Sequence, residues 1–200
     1  MKANWLERMI VNSPIRLLAQ GKIILPWIKS KIDLPPGGTF LEIGCGRGAG
    51  ARMLLKEFHP AAIHAMDLEV RMISQAQRYL TAAQKKQITL YVGDTMHLPH
   101  RDGSADAVFG FGVLHHLPDW QGGVAEVARV LKPGGIYFLE EFYPPIYLNF
   151  LARRLLNHPE ENRFYRQDLR EALAAAGLPL QHALEVKKLG LLGLCRKTPS

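Results

Sequence analysis

Short apolar runs alternate with amphipathic stretches along this chain, the order expected of strands joined by helices. Thr39 to Ile43 is apolar apart from Glu42 and reads as a buried strand. Ala51, Leu54, Leu55 and Phe58 then recur at helical spacing from Ala49 to Phe58, the stripe a helix needs to pack on a sheet. Ala62 to Asp67 predicts a second strand, Ile88 to Val92 a third, Ala107 to Phe111 a fourth and Ile136 to Glu140 a fifth. Lys132-Pro133-Gly134-Gly135 reads as a turn rather than a ligand contact, because proline cannot continue a helix and glycine supplies a left-handed conformation. Arg166 to Ala176 predicts a helix closed by Gly177, and Leu180 to Lys188 and Leu191 to Arg196 predict two final strands turning near Gly190. The expected fold class is α/β: a seven-stranded, mostly parallel sheet with helices on both faces and an antiparallel final strand.

The first strand and helix meet through Gly44-Cys45-Gly46-Arg47-Gly48, where missing Cβ atoms allow turn conformations and let a ligand touch backbone. The amino end of the following helix offers unpaired N–H groups that favour an anionic or carboxylate-bearing ligand. Asp67 closes the second strand about 20 residues on, where a parallel βαβ unit places an acid that accepts both ribose hydroxyls. Gly93-Asp94-Thr95 brings a second acid to the carboxyl end of the third strand, facing the same crevice. Gly44 to Ala49 with Asp67 also satisfies the relaxed dinucleotide pattern, so a nicotinamide (NAD(P))-dependent oxidoreductase is a rival reading. That match is local, and no Tyr followed four residues later by Lys supplies the acid/base pair of short-chain dehydrogenases. A non-catalytic binding module is a third reading, opposed by the intact acidic positions.

The series EIGCGRG, MDLE, GDTMHLP, FGVLHHL and LKPGG, in this order, resembles the class I S-adenosylmethionine-dependent methyltransferases, particularly the subgroup of the ubiquinone and menaquinone biosynthesis methyltransferases. The resemblance covers Gly37 to Gly135 as motifs and the remainder as topology, and it implies a Rossmann-like fold. It further implies that Gly44, Cys45 and Gly46 approach the methionine part of S-adenosylmethionine while Glu42 orients its amino group. Asp67 would bind the ribose, Leu68 would pack on the adenine, Asp94 would accept from the adenine amino group, and Thr95 and Met96 would line that edge. Phe111 and Gly112 would contribute backbone near the methionine end. Gly50 departs from the family loop by adding one more glycine.

Composition and charge narrow the picture. The 200 residues, 48% hydrophobic, suffice for one well-buried domain. Two cysteines, Cys45 and Cys195, are too few for a disulfide framework, and no signal peptide is recognisable, so a cytoplasmic protein is expected. No apolar run reaches transmembrane length. A net charge of +7 favours anionic partners, but the basic residues are scattered and no nucleic-acid motif is present, so a small-molecule acceptor is expected ahead of nucleic acid. Residues 1–36 read as short amphipathic helices forming a lid or cap before the methyltransferase domain of residues 37–200, with Ser13-Pro14 as a helix cap and first residue. Contact with a membrane surface through Trp5, Ile23, Ile24, Leu25 and Trp27 is the alternative to a lid. Glu141 to Leu148, aromatic and proline-rich, is expected to wall the acceptor pocket. His115 and His116 are the first candidate bases, with Glu141 and Tyr143 opposite them; two adjacent histidines on extended backbone would point to different sides. His97, His100, His115 and His116 lack a metal-ligand pattern, so no metal is expected.

Overall fold

The computed structural model describes residues 13–34, 36–147, 162–186 and 189–199. Its seven strands are β1 (Thr39–Ile43), β2 (Ala62–Asp67), β3 (Ile88–Val92), β4 (Ala105–Phe111), β5 (Leu131–Phe142), β6 (Leu180–Val186) and β7 (Gly190–Arg196). They form one sheet in the order β3-β2-β1-β4-β5-β7-β6. Neighbours from β3 to β5 run parallel, and β7 lies antiparallel to both β5 and β6. The expected fold class is therefore observed.

The described helices are α1 (Pro14–Ala19), α2 (Leu25–Lys29), α3 (Ala49–Phe58), α4 (Val70–Tyr79), α5 (Trp120–Val130), α6 (Pro144–Tyr147) and α7 (Arg166–Ala175). A π turn, Gln20–Ile24, joins α1 to α2, and Ser13 caps α1 by accepting from the Arg16 N–H at 3.2 Å. The first four strands and α3 stand where the periodicity puts them, except that β4 begins two residues earlier. β5 departs more: it starts at Leu131, so Lys132–Gly135 lies inside the strand as an irregularity. Ala105 pairs with Leu131, Ala107 with Ile136, and the register shifts between them. Gly134, at φ +76° with nothing near its missing Cβ, serves the backbone alone.

Consecutive residues of a strand face opposite sides of the sheet, and both sides are buried here. Leu41, Val108, Tyr137 and Leu139 face α5 and α7 through Val124, Val127, Leu169 and Leu173. Phe40, Phe109, Phe138 and Leu194 face α3 through Ala51 and Leu54, together with Ile24, Leu25 and Ile28. Of the residues considered for a membrane contact, Ile24 and Leu25 are thus core, Trp27 packs against the same core, Ile23 is exposed, and Trp5 lies outside the described residues. Leu148 at the end of the predicted acceptor wall and Lys188 at the end of the predicted sixth strand also lie outside them.

Candidate functional site

Strand order reverses between β1 and β4, and open α/β sheets bind ligands beyond the carboxyl ends of the strands at such a switch. Every predicted site residue lies on that edge. Glu42, Gly44, Cys45 and Gly46 end β1 or follow it; Asp67 and Leu68 end β2; Asp94, Thr95 and Met96 follow β3; Phe111 and Gly112 end β4.

The glycine turn is held by its own backbone and by Asp67. Gly44, Gly46 and Gly48 have φ of +62°, +52° and +82°, conformations that disfavour any side chain. The Cys45 N–H donates to the Met66 carbonyl at 2.8 Å and the Gly46 N–H to Asp67 Oδ2 at 2.9 Å, while Asp67 Oδ1 accepts from the Glu69 N–H at 2.9 Å. Asp67 thus ties the turn to the end of β2, and burial raises its carboxyl above the usual range despite those donors. A Cβ on Gly44 would stand 2.7 Å from Val113 Cγ2, so the turn leaves backbone-sized space only. Cys45 is buried, and burial pushes its thiol up, which removes it as a thiolate nucleophile.

Beneath the turn lies Glu42, 2% exposed, with no hydrogen-bond partner for Oε2 among the described residues. Burial, reinforced by nearby Asp67 and opposed by a hydrogen bond from the Ala51 backbone, pushes its carboxyl up to about 8. The additional glycine of the loop has its reason here. A Cβ on Gly50 would overlap the Glu42 carboxyl and come within 3.1 Å of the Phe111 ring. Helix α3 starts at Ala49, and Gly50 in its first turn makes room for the acid. A buried carboxyl oxygen without a donor is rare in folded proteins, and here it suits a cationic ligand group.

Across the switch toward β3, Asp94 Oδ1 accepts from the Met96 N–H at 2.9 Å and the Asp94 carbonyl from the His97 N–H at 3.0 Å. Thr95 is buried, Met96 packs against the core, and Leu68 is 44% exposed beside an exposed Val70. An apolar side chain left in solvent next to two strand-end acids suits the face of a flat ring.

On the other flank, the two acids ending β5 divide between the faces of the sheet. Glu141 accepts from the N–H groups of Val113, Leu114 and His115 at 3.1, 2.8 and 3.3 Å, and meets His115 Nδ1 at 2.7 Å. Three backbone N–H donors hold this carboxyl group against the His115 ring. Burial raises the Glu141 carboxyl and holds the His115 imidazole well below its ordinary value. His115 and His116 sit on a 3-10 turn, Leu114–His116, and not on extended backbone; their rings lie 4.2 Å apart, on one side. Tyr143 donates to Glu185 Oε1 at 2.7 Å, and burial pushes its hydroxyl pKa up. Of the four candidate bases, Glu141 and Tyr143 are therefore committed to structural hydrogen bonds.

Glu140 points to the opposite face, where it meets Arg16, a residue the sequence did not single out for the site. Arg16 Nη2 donates to Glu140 Oε2 at 2.8 Å and to the Phe111 carbonyl at 3.1 Å, and the guanidinium stands 5.8 Å from the Phe142 ring. The nearest neighbours of a Cβ placed on Gly112 would be Arg16 Nη2, His115 and Phe142 at 3.4, 3.5 and 3.5 Å. Only an anomalously buried arginine in a helix whose other residues look amphipathic would have signalled this, and burial is not written in the sequence. Among the described residues no group of three or more His, Cys, Asp or Glu could hold a metal.

Residues 41–139 match the family model described as a methyltransferase domain. Over those residues the chain carries a methyltransferase domain. A sterol 24-C-methyltransferase of Gibberella zeae is 32% identical over 120 residues, covering 58% of this chain and 30% of that protein. A fatty-acid O-methyltransferase of Mycolicibacterium smegmatis is 38% identical over 123 residues, covering 62% of this chain and 44% of its own. The match thus spans less than half of either relative. Among solved structures, a geranyl diphosphate methyltransferase in complex with S-adenosylmethionine superposes with a TM-score of 0.74 at 16% identity, covering 94% of each chain, which establishes the shared fold. The chain's own residues suit that cofactor: a buried acid under a glycine cradle, with one oxygen unpartnered among the described residues, for an ammonium, and acids at or just beyond the ends of β2 and β3 for hydroxyl and amino donors.

Proposed function

We propose that this methyltransferase moves the methyl group of S-adenosylmethionine to a small acceptor with an apolar body. The observation that carries the reading is the buried Glu42 carboxyl beneath the Gly44–Gly48 turn, whose Oε2 has no hydrogen-bond partner among the described residues. Glu42 takes the amino group of the methionine part, Gly44, Cys45 and Gly46 offer backbone beside it, and Phe111 and Gly112 close that end. Asp67 takes the ribose, Leu68 packs on the adenine, Asp94 accepts from the adenine amino group, and Thr95 and Met96 line its edge. The bound sulfonium supplies an already activated methyl group, so the chain's part is alignment and exclusion of water, which contribute on the order of 7–11 kcal/mol in favourable cases. Relatives named for sterol and fatty-acid substrates, and motifs resembling the ubiquinone and menaquinone subgroup, support an acceptor soluble in lipid over protein or nucleic acid. No helix among the described residues is long and apolar enough to cross a membrane, and we place the reaction in the cytoplasm.

Thermal unfolding with S-adenosylmethionine, S-adenosylhomocysteine and NADH in parallel tests the reading. A ligand at ~100 times its Kd adds roughly 2.7 kcal/mol, a readily measured rise in midpoint for a domain of this size. A rise with the two sulfur ligands and none with NADH is expected; a rise with NADH alone would return the oxidoreductase reading.

A further inference from the structure

We propose that Arg129, seated on Glu126, is the positioning residue for adenine recognition: by clamping the loop between β3 and β4 it holds Asp94 where it accepts from the adenine amino group. This rests on the cofactor assignment above and adds to it the device that makes the adenine end selective. The loop needs such a device. Residues 93–104 join β3 to β4 with no helix or strand of their own and a single bridge between Asp94 and His97. That is about the length above which connections lacking structure of their own are uncommon. Asp94 stands near the start of the loop. Its bonds to the Met96 and His97 N–H groups shape a local turn, but they tie that turn to nothing outside the loop.

Helix α5 supplies the tie. Gly123, Glu126 and Arg129 recur at every third residue and so share one face of the helix, along which the loop descends. Thr95 comes nearest Gly123, where an added Cβ would stand 3.7 Å from Thr95 Cγ2. The Leu98 N–H donates to Glu126 Oε2 at 2.7 Å, and the Leu98 side chain is buried in the core. Arg129 then engages all five of its N–H groups. Nε and Nη2 donate to the two Glu126 oxygens at 2.7 and 2.9 Å, Nη2 also to the Leu98 carbonyl at 2.9 Å, and Nη1 to the His100 carbonyl and Asp102 Oδ1, both at 2.7 Å. The Asp102 carboxylate is exposed, and its ion pair contributes little. The two carbonyls are what fasten the loop to α5, and the Tyr91 hydroxyl, 3.1 Å from His100 Nε2, adds a tie to β3. An ammonium group offers three donors from one point and cannot reach the same set of acceptors.

Releasing the clamp costs recognition of the amino group and spares the rest of the cofactor. Leu68 packs on the ring whatever its substituents, whereas Asp94 reads one donor, and a hydrogen bond of this kind holds only over about 0.5 Å of separation. Calorimetry with S-adenosylhomocysteine and with its purine analogue, in which hydrogen replaces the adenine amino group, reads the difference. The parent should prefer S-adenosylhomocysteine by at least about tenfold, because the analogue leaves Asp94 without its donor. Arg129→Gln should bind S-adenosylhomocysteine at least about tenfold more weakly and the analogue within about twofold of the parent, so that the preference disappears. Arg129→Lys, which keeps a charge against Glu126, should retain part of it. Asp94→Ala should erase the preference alone, and adding Arg129→Gln should then change S-adenosylhomocysteine affinity by no more than about twofold, as expected of two residues acting as one unit.

Equal weakening of both ligands by Arg129→Gln, the mark of a merely structural role, would overturn the proposal. So would additive losses in the double variant, or a full preference in Arg129→Lys should Arg129→Gln show no cooperative unfolding transition. Failure of S-adenosylhomocysteine to bind the parent would instead strike the methyltransferase reading, while tight S-adenosylhomocysteine binding with no preference over the analogue strikes this proposal.

Discussion

At the scale of single residues, Glu42 and Gly50 form one device. The glycine gives up helix stability in the first turn of α3, and the space it leaves is filled by a carboxyl group with one oxygen that no described residue donates to. Gly50→Ala should therefore cost about 1–3 kcal/mol through overpacking and lower the melting midpoint by several degrees. It should also abolish S-adenosylhomocysteine binding at concentrations that saturate the parent, measured by calorimetry. Glu42 itself makes stability depend on pH. Its carboxyl titrates near 4.5 when unfolded and at about 8 when folded, so over that window the unfolded chain has lost the proton that the folded protein keeps. Stability is highest below the lower value and falls as pH rises through the window, by at most ~1.4 kcal/mol per pH unit from this group. Glu42→Gln removes that slope, so urea unfolding should show the variant gaining on the parent as pH rises toward 8, while it binds S-adenosylhomocysteine at least about tenfold more weakly. Asp67→Ala acts differently, since it cuts the turn loose from β2 at both the Gly46 and Glu69 N–H groups; loss of cofactor affinity is expected of it.

Among the elements, legibility followed the range of the interactions. β1, β2, β3 and α3 could be bounded from the sequence because their periodicity is local and glycine or an acid marks at least one end of each. β5 could not: Pro133 and Gly134 read as a turn, yet the strand passes through them by shifting register against β4. The 3-10 turn carrying His115 and His116 has only three residues and no period to read, and its shape is set by Glu141, 26 positions away from His115. The site was legible on its cofactor side, where each residue sits in a local motif. It was not on the flank of β4 and β5, since Arg16 and Glu140 are 124 positions apart and nothing near either announces the other. That pair holds the first helix on the crevice. Glu140→Ala should loosen α1 and the π turn while α2 stays anchored by Leu25 and Ile28. Hydrogen exchange of amides 18–24 is expected to quicken about tenfold, the effect of ~1.4 kcal/mol, with α2 unchanged. Uniform acceleration through α2 would mean that Glu140 matters to the whole face of the sheet and not to one helix.

For the molecule as a whole, the division at residue 36 that the sequence suggests can be tested against the packing. Ile24, Leu25 and Ile28 are at most 6% exposed and join Phe40, Phe109, Phe138 and Leu194 in one of the two cores. Trp27 meets Phe138 edge-on at 6.5 Å, and Lys29 reaches Glu57 on α3 at 2.6 Å, though that exposed ion pair contributes little. Burying a large apolar side chain is worth about 1.5–3 kcal/mol, so the three aliphatic residues alone contribute roughly 5–9 kcal/mol. Whole domains are stable by only about 5–15 kcal/mol. A chain beginning at Gly37 keeps all seven strands and every predicted cofactor residue, and it should still fail to hold a native fold near room temperature. The expected signature is loss of the cooperative thermal transition, with a gain of dye binding to exposed apolar surface. A cooperative transition within a few degrees of the parent, together with S-adenosylhomocysteine binding, would establish residues 1–36 as a separable cap and shift the weight of that core onto α3 and the sheet.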